Sequence, residues 1–436
     1  MPNLDPRIIE ASPTKDFFIS MLIKDIGLSR AIIDLVDNSV DGARRIRQSG
    51  NYNGLWVEIE VSKQFFKITD NCGGMGVELA RDYAFRFGRP SDMEPTPHSV
   101  GQFGVGMKRA IFKLGRKFRI ESKTSTSRFV VEEDVDDWKE EKEWQFRFKE
   151  LEEDRRFPSS ETGTRITVKA LHEAVAESFE LDTFKSRLVK ELQEAHIETM
   201  QNGLDIKFNE IAIQHHGLVL LNSRHLRPAH IRMAVGSGPS RMNIRLYAGI
   251  GDSNPSAAGW YIFCNGRLVL AGDQTSTTGW GESVPRYHNQ FARFRGYAFF
   301  DSRDASLLPW NTTKTGVDAD SPKFRSVRLE MIKMMRPVIT FLNHLDAEKS
   351  VEVTDAKPLE AAVTEAKSKD LTKIDTRATF LAPKSIPKPE AAQSGRIQYS
   401  KPLKEIRLVQ QALKVRTLGQ VGEKTFEYFF KRECES

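Results

Sequence analysis

From Ser29 to Arg44 the sequence has the apolar spacing of a helix, yet Asp34, Asn38 and Asp41 stand at i, i+4 and i+7. That spacing lines them up on one face. Ile32, Ile33, Val36 and Val40 supply the apolar faces. A buried polar stripe is costly unless it finds partners, so the segment is either a helix with one solvated face or the floor of a cavity. An asparagine carbonyl suits Mg²⁺, which keeps several waters and takes other ligands from phosphate. A carboxylate one turn earlier, Asp34, is placed to orient or deprotonate an attacking water.

Two later segments favour the cavity. Phe65-Phe-Lys-Ile-Thr-Asp70 reads as a strand that delivers Asp70 to its end, and Gly73, Gly74 and Gly76 then let the backbone turn sharply and approach a ligand. A buried carboxylate at Asp70 can accept a hydrogen bond from an adenine amino group, with Met75 as an apolar contact for the ring. The stretch Gly101-Gln102-Phe103-Gly104-Val105-Gly106-Met107-Lys108 opens a helix. Its glycines leave N–H groups free to face phosphate oxygens at the positive helix end, and Lys108 adds a charge. The spacing is neither a Walker A loop nor the dinucleotide fingerprint. Thr164 opens a strand, with a hydroxyl for Asp70 or a bound water. Each segment alone also reads as ordinary structure: a solvated face, an Asp-Gly turn, a flexible loop, a strand start. Taken in order, they supply a metal ligand with a candidate base, a base-reading carboxylate and a phosphate cradle, which is the inventory of an ATP–Mg²⁺ site.

A chain of 436 residues has room for two or three domains. No apolar run approaches the ~18 residues of a membrane span, and the N-terminus lacks a secretory pattern. Three scattered cysteines, Cys72, Cys264 and Cys434, point to a reducing compartment, so a cytoplasmic, intracellular protein is expected. The net charge of +6 permits contact with DNA without demanding it.

Periodicity predicts an α+β architecture. Residues 15–50 are helical, 55–68 a strand hairpin, and 88–100 a polar, proline-rich loop. A helix follows from Val105 to Leu114. Strands are expected at 118–123, 128–135, 143–148 and 164–171, with Asp136–Lys142 a solvated turn and 180–199 an amphipathic helix. Residues 1–215 then form a first domain, with helices on a mainly antiparallel sheet. A second covers 216–345 and includes a hairpin at Asn265-Gly266 and a long helix at 323–345. Residues 346–395 read as a flexible linker, and 396–436 as a helical tail.

The four motif segments resemble the GHKL ATPase superfamily (gyrase, the large heat-shock chaperones, histidine kinases and MutL, with the MORC ATPases close by). The resemblance is specific over residues 15–170 and weaker to 345. It implies a Bergerat-type α/β sandwich. Asn38 matches the metal-binding asparagine, Asp41 an acidic position that meets nucleotide through water, and Asp70 the adenine-reading aspartate. Gly101, Gly104 and Gly106 match the glycines that wrap phosphate, and Thr164 the late threonine. Two departures stand out: Asp34 occupies the position of the usual glutamate, and Cys72 that of the first glycine after Asp70. The second domain resembles the transducer domain of gyrase, MutL and MORC proteins, which donates a lysine to the γ-phosphate; Lys314, in Leu308-Pro-Trp-Asn-Thr-Thr-Lys314, is the candidate, acting by charge.

A sensor histidine kinase is disfavoured, because the first motif begins too early for preceding phosphoacceptor helices. His172 and His196 read as ordinary residues. The expectation is an ATPase whose nucleotide state orders residues 89–105 and controls homodimerisation, with DNA or a protein as client. The rival readings are a nucleotide-sensing scaffold with little turnover and a chaperone-like remodeller.

Overall fold

The computed structural model describes residues 11, 13–88, 98–100, 105–311, 313–349, 357–384 and 397–434. Gly101, Gln102, Phe103 and Gly104 of the expected phosphate cradle therefore lie outside the described residues, as do residues 89–97 of the expected loop.

Period-2 alternation builds the first sheet. In β1 (Trp56–Val61) and β2 (Phe65–Asp70) every second residue is buried, so Phe66, Ile68 and Asp70 share the inward face. With β3 (Gly115–Lys123), β4 (Arg128–Asp134), β5 (Phe148–Glu152), β6 (Gly163–Leu171), β7 (Asp205–Phe208) and β8 (Ile211–Ala212) they form one sheet in the order β5-β4-β3-β6-β2-β1-β7-β8. Every pairing is antiparallel except that of β1 with β7. Helices α1 (Lys15–Lys24), α2 (Leu28–Ile46), α3 (Val77–Leu79), α4 (Gly106–Leu114), α5 (Val135–Glu140), α6 (Glu173–Glu180), α7 (Asp182–Ala195) and α8 (Ile197–Gln201) complete this part. α2 packs on α4 and α7, and these helices share one core with the inward residues of the sheet. The result is the expected α/β sandwich.

A second sheet runs β10-β11-β14-β12-β13, from β10 (Ala229–Val235), β11 (Met242–Ile250), β12 (Gly259–Cys264), β13 (Arg267–Asp273) and β14 (Phe294–Ser302), with β12 and β14 parallel. Its hairpin turns at Asn265 and Gly266, both with positive φ, as the Asn-Gly signal predicts. The long helix α9 (Pro322–Lys349) packs across β11 and β14.

Three local expectations fail. The charged stretch expected as a turn forms α5, because Val135 and Trp138 are buried and the Asp134 side chain caps the helix. The strand expected at 143–148 begins only at Phe148; Trp144 and Phe146 instead pack their rings around Trp138 and Phe87. Within the stretch expected as a linker, α10 (Pro358–Glu365) buries Leu359 and Ala362, and β15 (Lys367–Asp370) pairs antiparallel with β9 (Val219–Asn222). By itself, the unit from Ile386 onward contains a two-helix hairpin, α11 (Leu403–Leu413) and α12 (Leu418–Glu433). α12 starts with a capping box at Thr417 and Gln420.

Candidate functional site

Helix α2 is surrounded. From Ala31 to Ala43 every residue is buried except Asn38. A helix covered on all sides normally carries no polar stripe, so each polar side chain on it requires an account. Asn38 is the one exposed position, and its side chain makes no hydrogen bond to a described residue. Its carbonyl is therefore free for a ligand, and a hard cation needs few protein groups where phosphate supplies the rest. No cluster of three or more His, Cys, Asp or Glu suited to a metal occurs among the described residues. A Mg²⁺ fits here only as an Asn38–phosphate partner.

Asp34 is 3% exposed. Its Oδ2 accepts a 2.7 Å hydrogen bond from Arg109 of α4, while Oδ1 is buried without a hydrogen bond. One oxygen is thus held by Arg109, and the other is enclosed without a hydrogen bond, 3.8 Å from the Lys314 ammonium. α4 also places Gly106 against this carboxylate: a Cβ there would lie 3.8 Å from Oδ2. The start of α4 and the middle of α2 therefore meet at Asp34, with Val105, Gly106 and Met107 beside it in sequence. Lys108 does not join them. It is 3% exposed, it donates to the carbonyl of Ala84 at 2.6 Å, and it lies 5.6 Å from the Phe87 ring centroid. Burial pushes its pKa down to about 7. One residue along a helix rotates a side chain by about 100°, so Arg109, not Lys108, faces Asp34.

The Asp70 constellation is more tightly built than the sequence suggests. Oδ2 accepts from the Ser39 hydroxyl at 2.7 Å. Oδ1 accepts from the backbone N–H groups of Cys72 at 2.9 Å and Thr164 at 3.2 Å. Thr164 thus reaches Asp70 through its backbone, and its hydroxyl instead contacts Ser122 at 3.0 Å. Ser122 in turn accepts from the Met75 N–H at 2.7 Å, which fixes Met75 beside the carboxylate's strand end. Burial raises the Asp70 pKa against these hydrogen bonds. The turn after Cys72 is carried by Gly73 and Gly74, both with positive φ; a Cβ on Gly74 would sit 2.1 Å from the Lys123 carbonyl oxygen.

Asp41 contacts the backbone that precedes the glycine segment. Its Oδ1 accepts from the Val100 N–H at 2.7 Å, and Arg44 lies 3.6 Å away. The Val100 contact holds the backbone there.

Lys314 arrives from the second sheet's side of the chain. Asn311, Lys314 and Gly316 are drawn together by hydrogen bonds from Lys314 N to Asn311 O and from Asn311 N to Gly316 O, which bend the segment 313–317. It is tied to α2 by Arg30, which donates to the carbonyls of Thr313 and Lys314. The Lys314 ammonium, itself buried, donates to Asp37 Oδ2 at 2.8 Å and lies 3.8 Å from Asp34 Oδ1. Asp37 is the residue that motif reading passed over. It is fully buried, with Arg267 Nε at 3.1 Å and His196 Nε2 at 3.7 Å from its Oδ1. Burial pushes Asp37 up, but Lys314 and Arg267 outweigh it and hold the carboxyl well below the usual range. Burial lowers His196 to about 3, so the imidazole is neutral. Burial also brings Arg30 down to about 10. Arg30, Arg109, Arg267 and Lys314 thus face Asp34 and Asp37, with Glu191 acting on Arg30 from a half-buried position. Cation outweighs anion around this stretch of α2.

A sheet-end carboxylate, a buried acidic helix, a glycine-bearing helix start and an inserted lysine are thus gathered along α2. Residues 26–164 match the family model of histidine kinase-, DNA gyrase B- and HSP90-like ATPases. Two curated relatives, the mouse and human proteins named structural maintenance of chromosomes flexible hinge domain-containing protein 1, are each 26% identical over 215 residues, covering 43% of this chain. The match spans only 10% of each relative.

Proposed function

We propose that this chain binds Mg²⁺-ATP on α2 and hydrolyses it slowly, and that nucleotide state controls the pairing of two copies. The observation that carries the reading is Lys314, which is brought from a distant loop to within 3.8 Å of Asp34 Oδ1, beside the start of α4. An excess of buried cations is costly without an anion to meet it, and a triphosphate supplies one. In this reading Asp70 accepts from the adenine amino group, Met75 and Thr164 flank the base, and Gly106 with the residues before it faces phosphate. Asn38 holds Mg²⁺, which when bound neutralises phosphate charge. Asp34 Oδ1, free of hydrogen bonds, takes a proton from water as the water oxygen bonds to the γ-phosphorus. The bond to the β-phosphate oxygen breaks, and ADP and phosphate leave. Lys314 places charge where the transferred group develops it.

A second reading has its own observation. The Arg109–Asp34 contact at 2.7 Å ties up the shorter acid, which favours a nucleotide-sensing scaffold with little turnover. Phosphate release by the full chain and by Asp34→Ala separates the two. Hydrolysis predicts a loss of roughly 10²–10⁴-fold in the variant; equal rates leave only the scaffold. Repeating the assay with duplex DNA tests the DNA client, which the net charge of +6 and the chromosome-related names of the relatives support. Stimulation fits a DNA clamp, and indifference shifts the client to protein.

A further inference from the structure

Asp37 has no role in the ATP chemistry just described, yet it is the most enclosed acid on α2 and collects three basic side chains from three separate parts of the chain. Lys314 comes from the segment 313–317, Arg267 from β13, and His196 from the junction of α7 and α8. Burying a carboxylate costs several kcal/mol unless charge partners offset it. Its presence beside Asn38, on a helix otherwise closed by Ile32, Val36 and Val40, therefore calls for a purpose. The geometry supplies one. Arg267 Nε at 3.1 Å and His196 Nε2 at 3.7 Å lie on the Oδ1 side as charge contacts, and none of these three atoms makes a hydrogen bond. Arg267 thus faces one carboxylate oxygen, and the other, Oδ2, accepts from the lysine. The turn that carries Lys314 is already bent, with Lys314 at φ 53°, and Arg30 grips its carbonyls. Backbone and ammonium are thus both fixed on α2, from Arg30 and Asp37 respectively.

We propose that Asp37 is a positioning residue for Lys314: buried and faced by the Arg267 guanidinium at 3.1 Å, it holds the ammonium at 2.8 Å on the side of α2 that carries Asp34. The inference rests on the ATPase reading for its catalytic consequence and on the contact alone for its structural one. It also explains how the second sheet senses the nucleotide helix. Arg267 is the first residue of β13, so the sheet and the lysine turn converge on the same carboxylate, and displacing one changes the charge that the other faces.

The test compares Asp37→Asn, Lys314→Met and the double variant in the full chain, with two readouts. In steady-state phosphate release, each single variant lowers kcat by roughly 100-fold while KM for ATP stays within about threefold. The double variant is no slower than Lys314→Met, since both changes remove one interaction. Multiplying losses, or wild-type kcat in Asp37→Asn, overturn the proposal. The second readout is hydrogen exchange of the amides of residues 313–317, measured without nucleotide. Exchange at least about tenfold faster than wild type is expected in Asp37→Asn and in Lys314→Met. Lys314→Met leaves Asp37 paired with Arg267 and serves if the asparagine variant does not fold. Unchanged protection in either variant overturns the positioning role. A wild-type chain that releases no phosphate refutes the ATPase reading, and the exchange result then decides the Asp37 contact by itself.

Discussion

Replacing Asp70 with asparagine separates recognition from folding. The side chains have the same shape, so Oδ1 of the amide keeps the N–H groups of Cys72 and Thr164, and the new NH₂ donates to the Ser39 oxygen once that hydroxyl rotates. Charge-assisted hydrogen bonds become neutral ones, at a cost of about 1 kcal/mol, and the penalty of a buried charge disappears. The sign with pH follows. Burial holds the folded pKa of Asp70 above its usual value, so its contribution to stability is present below the ordinary aspartate range and is lost as pH rises through the raised folded value. Asp70→Asn has no such loss. Its Tm relative to wild type therefore climbs from about pH 4 to pH 7. Nucleotide affinity moves the other way: an NH₂ facing the adenine amino group sets two donors against each other, and one buried unsatisfied group costs about 1–3 kcal/mol, or a loss of ~5- to 150-fold in affinity. Displacement of a fluorescent ATP analogue and thermal denaturation across that pH range measure both. Wild-type affinity in the variant, or a Tm gap that narrows as pH rises, refutes the assignment of Asp70.

Two other substitutions probe single features. Asn38→Ala removes an exposed side chain with no hydrogen bond to a described residue. It should change stability by less than about 0.5 kcal/mol while abolishing the Mg²⁺ dependence of ATP binding, measured by titration with and without chelator. Lys108→Met removes a buried ammonium whose pKa falls to about 7. Wild-type stability from this group is present above the ordinary lysine range and lost as pH falls toward 7, so the variant's gain in Tm should be largest at pH 7 and shrink toward about pH 10.

The sequence discloses those parts of the site that depend on local period. Asp70 falls on the inward face because it lies two and four residues from Ile68 and Phe66, and the α2 stripe follows from helical spacing. What depends on the packing of distant segments is hidden. Lys108 is the first basic residue after the glycines, but the face of α4 turned to α2 carries Arg109. Asp37 sits inside the same motif as Asn38, and only the arrival of Arg267, His196 and Lys314 marks it out. Trp144 and Phe146 alternate like a strand, yet ring packing claims them. Residues 357–384 have a linker's composition, but β15 finds an edge at β9.

The central claim is that ATP lies against α2 between the Asp70 turn and Lys314. Co-crystallisation of the full chain with Mg²⁺ and a non-hydrolysable ATP analogue tests it most directly. The expected map has the adenine amino group on Asp70, the metal on Asn38, and the terminal phosphate between the start of α4 and the Lys314 ammonium. A well-occupied analogue elsewhere on the chain, with α2 making no contact to it, contradicts the account.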